Sequence, residues 1–330
     1  MEQQVLGRTG RMVSVIGLGT WQLGADWGEV GDDESRAVLD AALEAGITFF
    51  DTADVYGDGR SEQALGRFLA DHQDQSLTVA TKMGRRVDQV PENYVLENFR
   101  EWTDRSRRNL GVESLDLVQL HCPPTPVYSS DEVFDALDQL VEDGVMAAYG
   151  VSVETADEAL TAIARPHVAS VQIILNAFRL KPLEKVLPAA SEAGVGIIAR
   201  VPLASGLLSG RYTTETTFAE NDHRTFNRGG EAFDVGETFS GVPFEVGVDA
   251  AARFTTLAED LAEDVTPAQA ALAWVWQQPG VSTVIPGARS PEQAAANAAA
   301  GNVGVLGPLF RSKVRDLYDE SIREHVHDRW

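Results

Sequence analysis

Cysteine is almost absent from this chain. Cys122 is the only one in 330 residues, which excludes an intramolecular disulfide and a disulfide-stapled scaffold. Lysine is scarce too: Lys82, Lys181, Lys185 and Lys313 are the only four, and arginine supplies the other 23 of the 27 positive charges. Fifty acidic residues outnumber them, for a formal net charge of −23. Such a surface repels nucleic acid and anionic membranes, so neither is expected as a partner. It also repels anionic small molecules unless local arginines or lysines reverse the field. No apolar run reaches the roughly 18 residues of a membrane-spanning helix. Met1 to Gly7 lacks the basic and apolar regions of a secretion signal. A cytoplasmic location is therefore the default expectation.

Several chemistry-bearing motifs are also missing. Gly17-x-Gly19 follows an apolar run, but Gln22 stands where the dinucleotide fingerprint needs its third glycine, and no helix is predicted to open there. Gly150-x-Ser152 lacks the second glycine of a nucleophile elbow, with Glu154 in its place. There is no P-loop, no His-Glu-x-x-His and no clustered set of metal ligands, so no metal is expected.

What is present is an alternation. Gln3 to Val13, around Gly7-Arg8-Thr9-Gly10, reads as a small hairpin. Eight short apolar strands follow, at 13–18, 47–50, 77–81, 115–120, 147–151, 168–174, 195–199 and 281–285. Helical periodicity separates them over 32–45, 61–69, 95–110, 131–142, 156–163, 182–193 (kinked at Pro188), 250–261, 267–276, 291–299 and 309–323. A long polar stretch, 209–247, interrupts the last units. Near-continuous apolar strands alternating with helices imply a parallel sheet covered by helices. Eight units without a linker predict an α/β chain closed as a (β/α)8 TIM barrel, residues 1–330 as one domain, with an N-terminal β-hairpin and a C-terminal helical extension. An open doubly wound sheet is the competing arrangement. The barrel predicts that functional residues follow the strands, at the C-terminal rim.

Polar residues do collect there. Asp51 and Tyr56 follow the second strand, Lys82 ends the third and His121 ends the fourth. A free tyrosine, with a pKa of about 10, is a poor acid near neutrality. A neighbouring ammonium lowers that value, and a carboxylate beside the lysine holds it charged. A histidine can orient a carbonyl oxygen or share the proton. The four together make a general-acid site for carbonyl reduction. Singly, each has an ordinary structural reading: Lys82 in an ion pair, His121 hydrogen-bonded on the rim, Tyr56 packed in a loop, Asp51 capping one.

The segment 47–69, the Thr81-Lys82 and Val118-Gln-Leu-His121 strand ends, the Gly17-Leu-Gly19-Thr20-Trp21 loop and Pro202-Leu-Ala-Ser-Gly-Leu-Leu-Ser-Gly210 together resemble the aldo-keto reductase superfamily, especially its bacterial members. The resemblance runs over essentially the whole chain. It implies a barrel that binds NADP(H) without a Rossmann motif and acts on a small carbonyl or alcohol substrate. Tyr56 would be the general acid, Lys82 paired with Asp51 would lower its pKa, and His121 would place the carbonyl. Trp21, Tyr56 and His121 would meet the substrate. Ser152, Gln172 and Asn176 would meet the nicotinamide carboxamide, with Thr20, Trp21, Asp51 and Arg200 nearby. Pro202, Leu203, Ser205, Gly206, Leu207 and Gly210 would wrap the pyrophosphate. Gly287, Arg289, Gln293 and Asn297 would hold the adenosine end and its 2′-phosphate. Arg289 also precedes a predicted helix start at Ser290, and a guanidinium and a helix N-terminus both favour phosphate.

The chain departs from the family at two positions. Arg200 stands where many relatives have a stacking tyrosine or tryptophan. A cation there would disfavour the oxidised ring, so a bias towards NADPH over NADP⁺ is expected. Val153 replaces a frequent asparagine. Rival readings are a sugar or polyol dehydrogenase, a cofactor-binding regulatory subunit of this fold, and a Schiff-base enzyme using Lys82. Trp21, Trp27 and Tyr128 are candidates for the pocket wall, whereas Trp102, Trp274 and Trp276 read as packing residues on helices.

Overall fold

The structure, a computed structural model, describes residues 1–24, 31–261 and 264–330. Trp27 lies outside them. The hairpin pairs β1 (Gln3–Val5) with β2 (Met12–Ser14) in antiparallel register, Gln4 opposite Val13. Eight parallel strands follow: β3 (Leu18–Gly19), β4 (Phe49–Asp51), β5 (Thr78–Met83), β6 (Leu117–His121), β7 (Tyr149–Ser152), β8 (Ser170–Ile174), β9 (Gly196–Arg200) and β10 (Val281–Val284). They pair in sequence order. Gly17 N–H donates to Val284 O at 2.8 Å and Gly19 N–H to Pro286 O at 3.0 Å, joining the last strand to the first. The result is a nearly closed barrel with surrounding helices, as the alternation predicts.

Strand side chains alternate between two faces, and this sorts the interior by height. Phe49, Ala80, Leu117, Ile198 and Ile285 form a small apolar cluster with Leu6 and Val13 of the hairpin. The hairpin thus plugs the N-terminal mouth. Gly7 permits the close approach: at φ +47° a Cβ there would lie 2.1 Å from Gly196 N. Two residues further along β4, β5 and β6 come Asp51, Lys82 and Gln119, and then His121. Polarity therefore rises towards the C-terminal rim. A second, larger apolar cluster fills the space between strands and helices. Trp102, Trp274 and Trp276 pack within it, as expected.

Helix ends follow local chemistry. Thr155–Glu158 and Thr266–Gln269 form capping boxes, and Ser130 and Ser290 cap through their hydroxyls. The expected strand 13–18 divides instead, with Val13 in the hairpin and Leu18 in the barrel. The expected helix 182–193 becomes a short turn, Lys181–Leu183, followed by Val186–Ala193. Pro188 sits in the first turn of the latter, where a proline breaks no helical hydrogen bond and causes no kink. The helix expected from 250 begins earlier and runs Phe244–Glu259. The C-terminal extension is Pro308–Ser321 and Arg323–Val326. Among the described residues no helix is long and apolar enough to cross a membrane.

Candidate active site

Three adjacent strands carry the core of the site. Lys82, at the end of β5, is 1% exposed. Its ammonium donates to Asp51 Oδ1 at 2.5 Å, to Thr52 O at 2.9 Å and to Tyr56 Oη at 3.2 Å. All three protons of the ammonium therefore have an acceptor. Burial works against its charge, but Asp51 and Tyr56 together hold its pKa above the ordinary lysine value. The second Asp51 oxygen accepts from Gln172 Nε2 at 2.8 Å and Gln119 Nε2 at 3.3 Å. A buried carboxylate with one cation and two amide donors is well satisfied.

Burial raises the Tyr56 phenol above its usual value, while the Lys82 charge pulls the other way. The ring of His121 meets that of Tyr56 edge-on, with centroids 6.0 Å apart. Burial, with Arg85, Lys82 and Arg200 around it, holds His121 well below the ordinary histidine value. Its imidazole is neutral, so one ring nitrogen is a donor and the other an acceptor. Nδ1 is buried without a hydrogen-bond partner.

These groups open into a cavity of about 630 Å³. Asp51, Tyr56 and His121 line it, as do Thr20, Trp21, Ser152, Gln172, Arg200, Pro202, Leu203, Ser205, Gly206, Gly287, Arg289, Gln293 and Asn297. Lys82 stands behind Asp51 and Tyr56 and does not itself line the wall. Gln293 Oε1 accepts from Arg289 N–H at 2.8 Å, and Asn297 Nδ2 donates to Gly287 O at 3.1 Å. The helix Pro291–Ala299 thereby fixes the loop before it.

Three expected cofactor contacts are not brought to the wall. Asn176 is wholly buried: its amide donates to Val201 O and Ser240 Oγ, and its Oδ1 accepts from Phe178 N–H. Its role here is to pin two loops together. Leu207 is buried in the larger apolar cluster. Gly210, at φ +70°, ends the turn after Ser209 and faces Thr255. The N–H groups of Ala204, Gly206, Leu208 and Gly210 close turns within the loop. Val201, Ala204 and Ser205 all take positive φ there, at 52°, 47° and 55°. Non-glycine residues in that region gather at functional sites. Tyr128 is also not in the wall: fully buried, it donates to Ser152 O at 2.9 Å.

Arg200 is not the open cation that its sequence position suggests. It donates to Glu154 at 2.8 Å, to Val153 O at 2.9 Å and to Glu237. Two carboxylates offset its charge, which removes the premise of repulsion towards an oxidised ring. Neither glutamate was legible as a partner, because Glu237 comes from the polar stretch 209–247. The same stretch brings Arg211, Tyr212, His223 and Arg224 to the wall. Trp21 packs against His223, Phe233 and Tyr56 at centroid distances of 5.2, 6.1 and 6.5 Å. Gln119 had a sequence signal, since it shares a strand face with His121.

Known proteins are similar to this chain over most of its length. The Aldo/keto reductase family model matches residues 15–318. An uncharacterized oxidoreductase of Mycobacterium tuberculosis is 35% identical over 299 residues, 88% of this chain and 85% of the relative. The solved glycerol dehydrogenase of Gluconobacter oxydans is 30% identical with a TM-score of 0.77, covering 94% of this chain and 93% of its own. A Schizosaccharomyces pombe protein named aldo-keto reductase yakc [NADP(+)] is 28% identical over 84% of this chain and 80% of its own.

Proposed function

The chain belongs to the aldo/keto reductase family and is an oxidoreductase, and on that premise we propose that it reduces an aldehyde or ketone with NADPH, using Tyr56 as general acid. The observation that carries this reading is that the Asp51–Lys82–Tyr56 chain and His121 open into the same cavity as Arg211, Arg224 and Arg289. In a protein of charge −23, these three arginines stand against the single carboxylate of Asp222, which pairs with Arg224 and Arg289, so that end of the cavity stays net positive, as an anionic dinucleotide requires.

The residues present fit that cofactor. The cavity volume is within the range of ligand sites, about 300–1,000 Å³. Ser152 and Gln172 would hold the carboxamide beside Asp51, with Thr20, Trp21 and Arg200 around the ring. Pro202, Leu203, Ser205, Gly206 and Gly287 would border the phosphates. Arg289, with Gln293 and Asn297, would take the 2′-phosphate, which favours NADPH over NADH. When bound, the cofactor supplies a hydride to the carbonyl carbon.

The protein's part is to place the carbonyl and deliver a proton. The neutral His121 donates an N–H to the carbonyl oxygen and fixes its direction. Tyr56, kept protonated by burial, gives its phenolic proton to the oxygen as negative charge develops. Lys82, held charged by Asp51, stabilises the tyrosinate that remains. Trp21, backed by Phe233, excludes water from the same end.

The test is fluorescence titration with NADPH and NADH, followed by turnover with simple aldehydes and ketones. Tighter NADPH binding, with turnover that vanishes in Tyr56→Phe, is the expected result. Binding without turnover on any carbonyl would favour the regulatory-subunit reading. Turnover only with alcohols and NADP⁺ would favour a dehydrogenase.

A further inference from the structure

Trp330 is far from the cavity in sequence but is tied to its wall. Its indole Nε1 donates to Asp234 Oδ1 at 3.0 Å, and that oxygen also accepts from Gly236 N–H at 2.7 Å. The ring covers Arg179, whose guanidinium carbon lies 3.5 Å from the ring centroid. Arg179 is 2% exposed, and its three side-chain nitrogens have no hydrogen-bond partner. The aromatic face and the charge of the nearby Asp234 are thus its support. Two glycines shape the slot: a Cβ on Gly241 would fall 2.4 Å from the Trp330 ring, and one on Gly236 would fall 2.3 Å from Arg179 Nη2.

Glu237 follows Gly236 directly. Ser205 holds it from the other side, donating to Glu237 O at 3.1 Å and accepting from Phe239 N–H at 3.0 Å. Its carboxylate, so placed, pairs with Arg200 in the cavity wall. Arg200 and Glu237 line the same cavity as Tyr56 and His121, so the pair borders the reacting end.

Resting on the carbonyl-reductase reading above, we propose that Trp330 is a positioning residue: through Asp234 and Gly236 it holds Glu237 on Arg200, so the substrate meets a neutralised guanidinium and uncharged carbonyls are favoured over anionic ones. Without Trp330 the carboxylate loosens, Arg200 and Arg85 are left to share Glu154, and Arg200 becomes a partly open cation that attracts a substrate carboxylate.

The test compares kcat/KM for 4-nitrobenzaldehyde and 4-carboxybenzaldehyde. Glu237→Gln should raise the preference for the carboxylate several-fold, and Trp330→Ala should move it the same way. Trp330→Phe, which keeps the aromatic face, should stay closer to wild type. The double variant should shift no further than Glu237→Gln alone. If Trp330→Ala lowers both aldehydes equally, or if the two effects add, the proposal is overturned. Amide hydrogen exchange over residues 235–241 needs no turnover. It should rise in Trp330→Ala and less in Trp330→Phe, and unchanged exchange overturns the clamp. A wild-type protein that exchanges as expected but reduces neither aldehyde would overturn the selectivity and the reductase reading while leaving the clamp in place.

Discussion

Gln172 Nε2 lies 2.8 Å from Asp51 Oδ2, on the far side of the carboxylate from Lys82. The residue proposed to meet the carboxamide therefore also supports the ion pair behind Tyr56. Gln172→Met should weaken NADPH binding by roughly fivefold, the worth of one hydrogen bond of about 1 kcal/mol. It should also lower kcat at saturating cofactor. Ser152 makes no hydrogen bond to Asp51, so Ser152→Ala should weaken binding and leave kcat nearly unchanged. Fluorescence titration and steady-state rates on the two variants separate these effects. Equal behaviour of the two would break the proposed link between cofactor and acid.

On the proposed mechanism, the proton on Tyr56 should set the pH dependence. Burial holds the phenol above its usual value, so the acid stays loaded through neutral and mildly alkaline pH. Reductive kcat should be level across that range and fall only above the ordinary tyrosine value. Tyr56→Phe should cost roughly 100- to 10,000-fold in kcat, the typical worth of a general acid. Lys82→Met should be worse for stability than Tyr56→Phe, because it leaves Asp51 buried and unpaired, at about 3 kcal/mol or more. Asp51→Asn combined with Lys82→Met should recover much of that loss in urea denaturation. A double variant no more stable than Lys82→Met would argue against this account.

The barrel and the grouping of Asp51, Tyr56, Lys82 and His121 were legible because both rest on local signals. Eight apolar strands and their intervening helices announce themselves by periodicity, and strand ends are where a barrel exposes chemistry. Asp51, Tyr56, Lys82 and His121 needed only that rule. The surroundings of Arg200 were illegible for the opposite reason. Its partners Glu154 and Glu237 lie 46 and 37 residues away, and Glu237 sits in a stretch with no periodicity to place it. Asn176 misled because a polar residue just beyond a strand reads as a ligand contact. Only the three-dimensional path of residues 201 and 240 shows that its amide is already used.

Arg289 should decide between the two dinucleotides. It borders the cavity, and the Gln293 side chain fixes its backbone. A charge-assisted contact to phosphate is worth about 1.5–3 kcal/mol. Arg289→Gln should therefore raise the Kd for NADPH by roughly 10- to 100-fold and change that for NADH little. Wild-type NADPH binding should also weaken with added salt, and the variant's less so. Parallel losses for both cofactors would move the 2′-phosphate to another of the cavity's arginines.

Asp54, two residues before Tyr56, should make stability depend on pH. It is fully buried, and no side chain hydrogen-bonds to either carboxyl oxygen; only the Val55 N–H lies near enough to favour its charge. Arg105 reaches its backbone carbonyl instead, at 3.0 Å, and both Arg86 and Arg105 send their charge to Asp58. Burial, aided by the nearby Glu62, pushes the Asp54 carboxyl up to about 7. The folded protein then keeps a proton that the unfolded chain releases from an ordinary value of 3.8. Stability from this group is full below the unfolded value and is lost as pH rises to about 7, by up to about 4 kcal/mol. Asp54→Asn has nothing to titrate there. Its urea midpoint should gain on that of wild type between pH 5 and pH 8, although the two proteins differ by one heavy atom. Parallel midpoints across that window would mean that Asp54 is ionised in the folded protein, with its charge compensated by Arg86 and Arg105 from a distance.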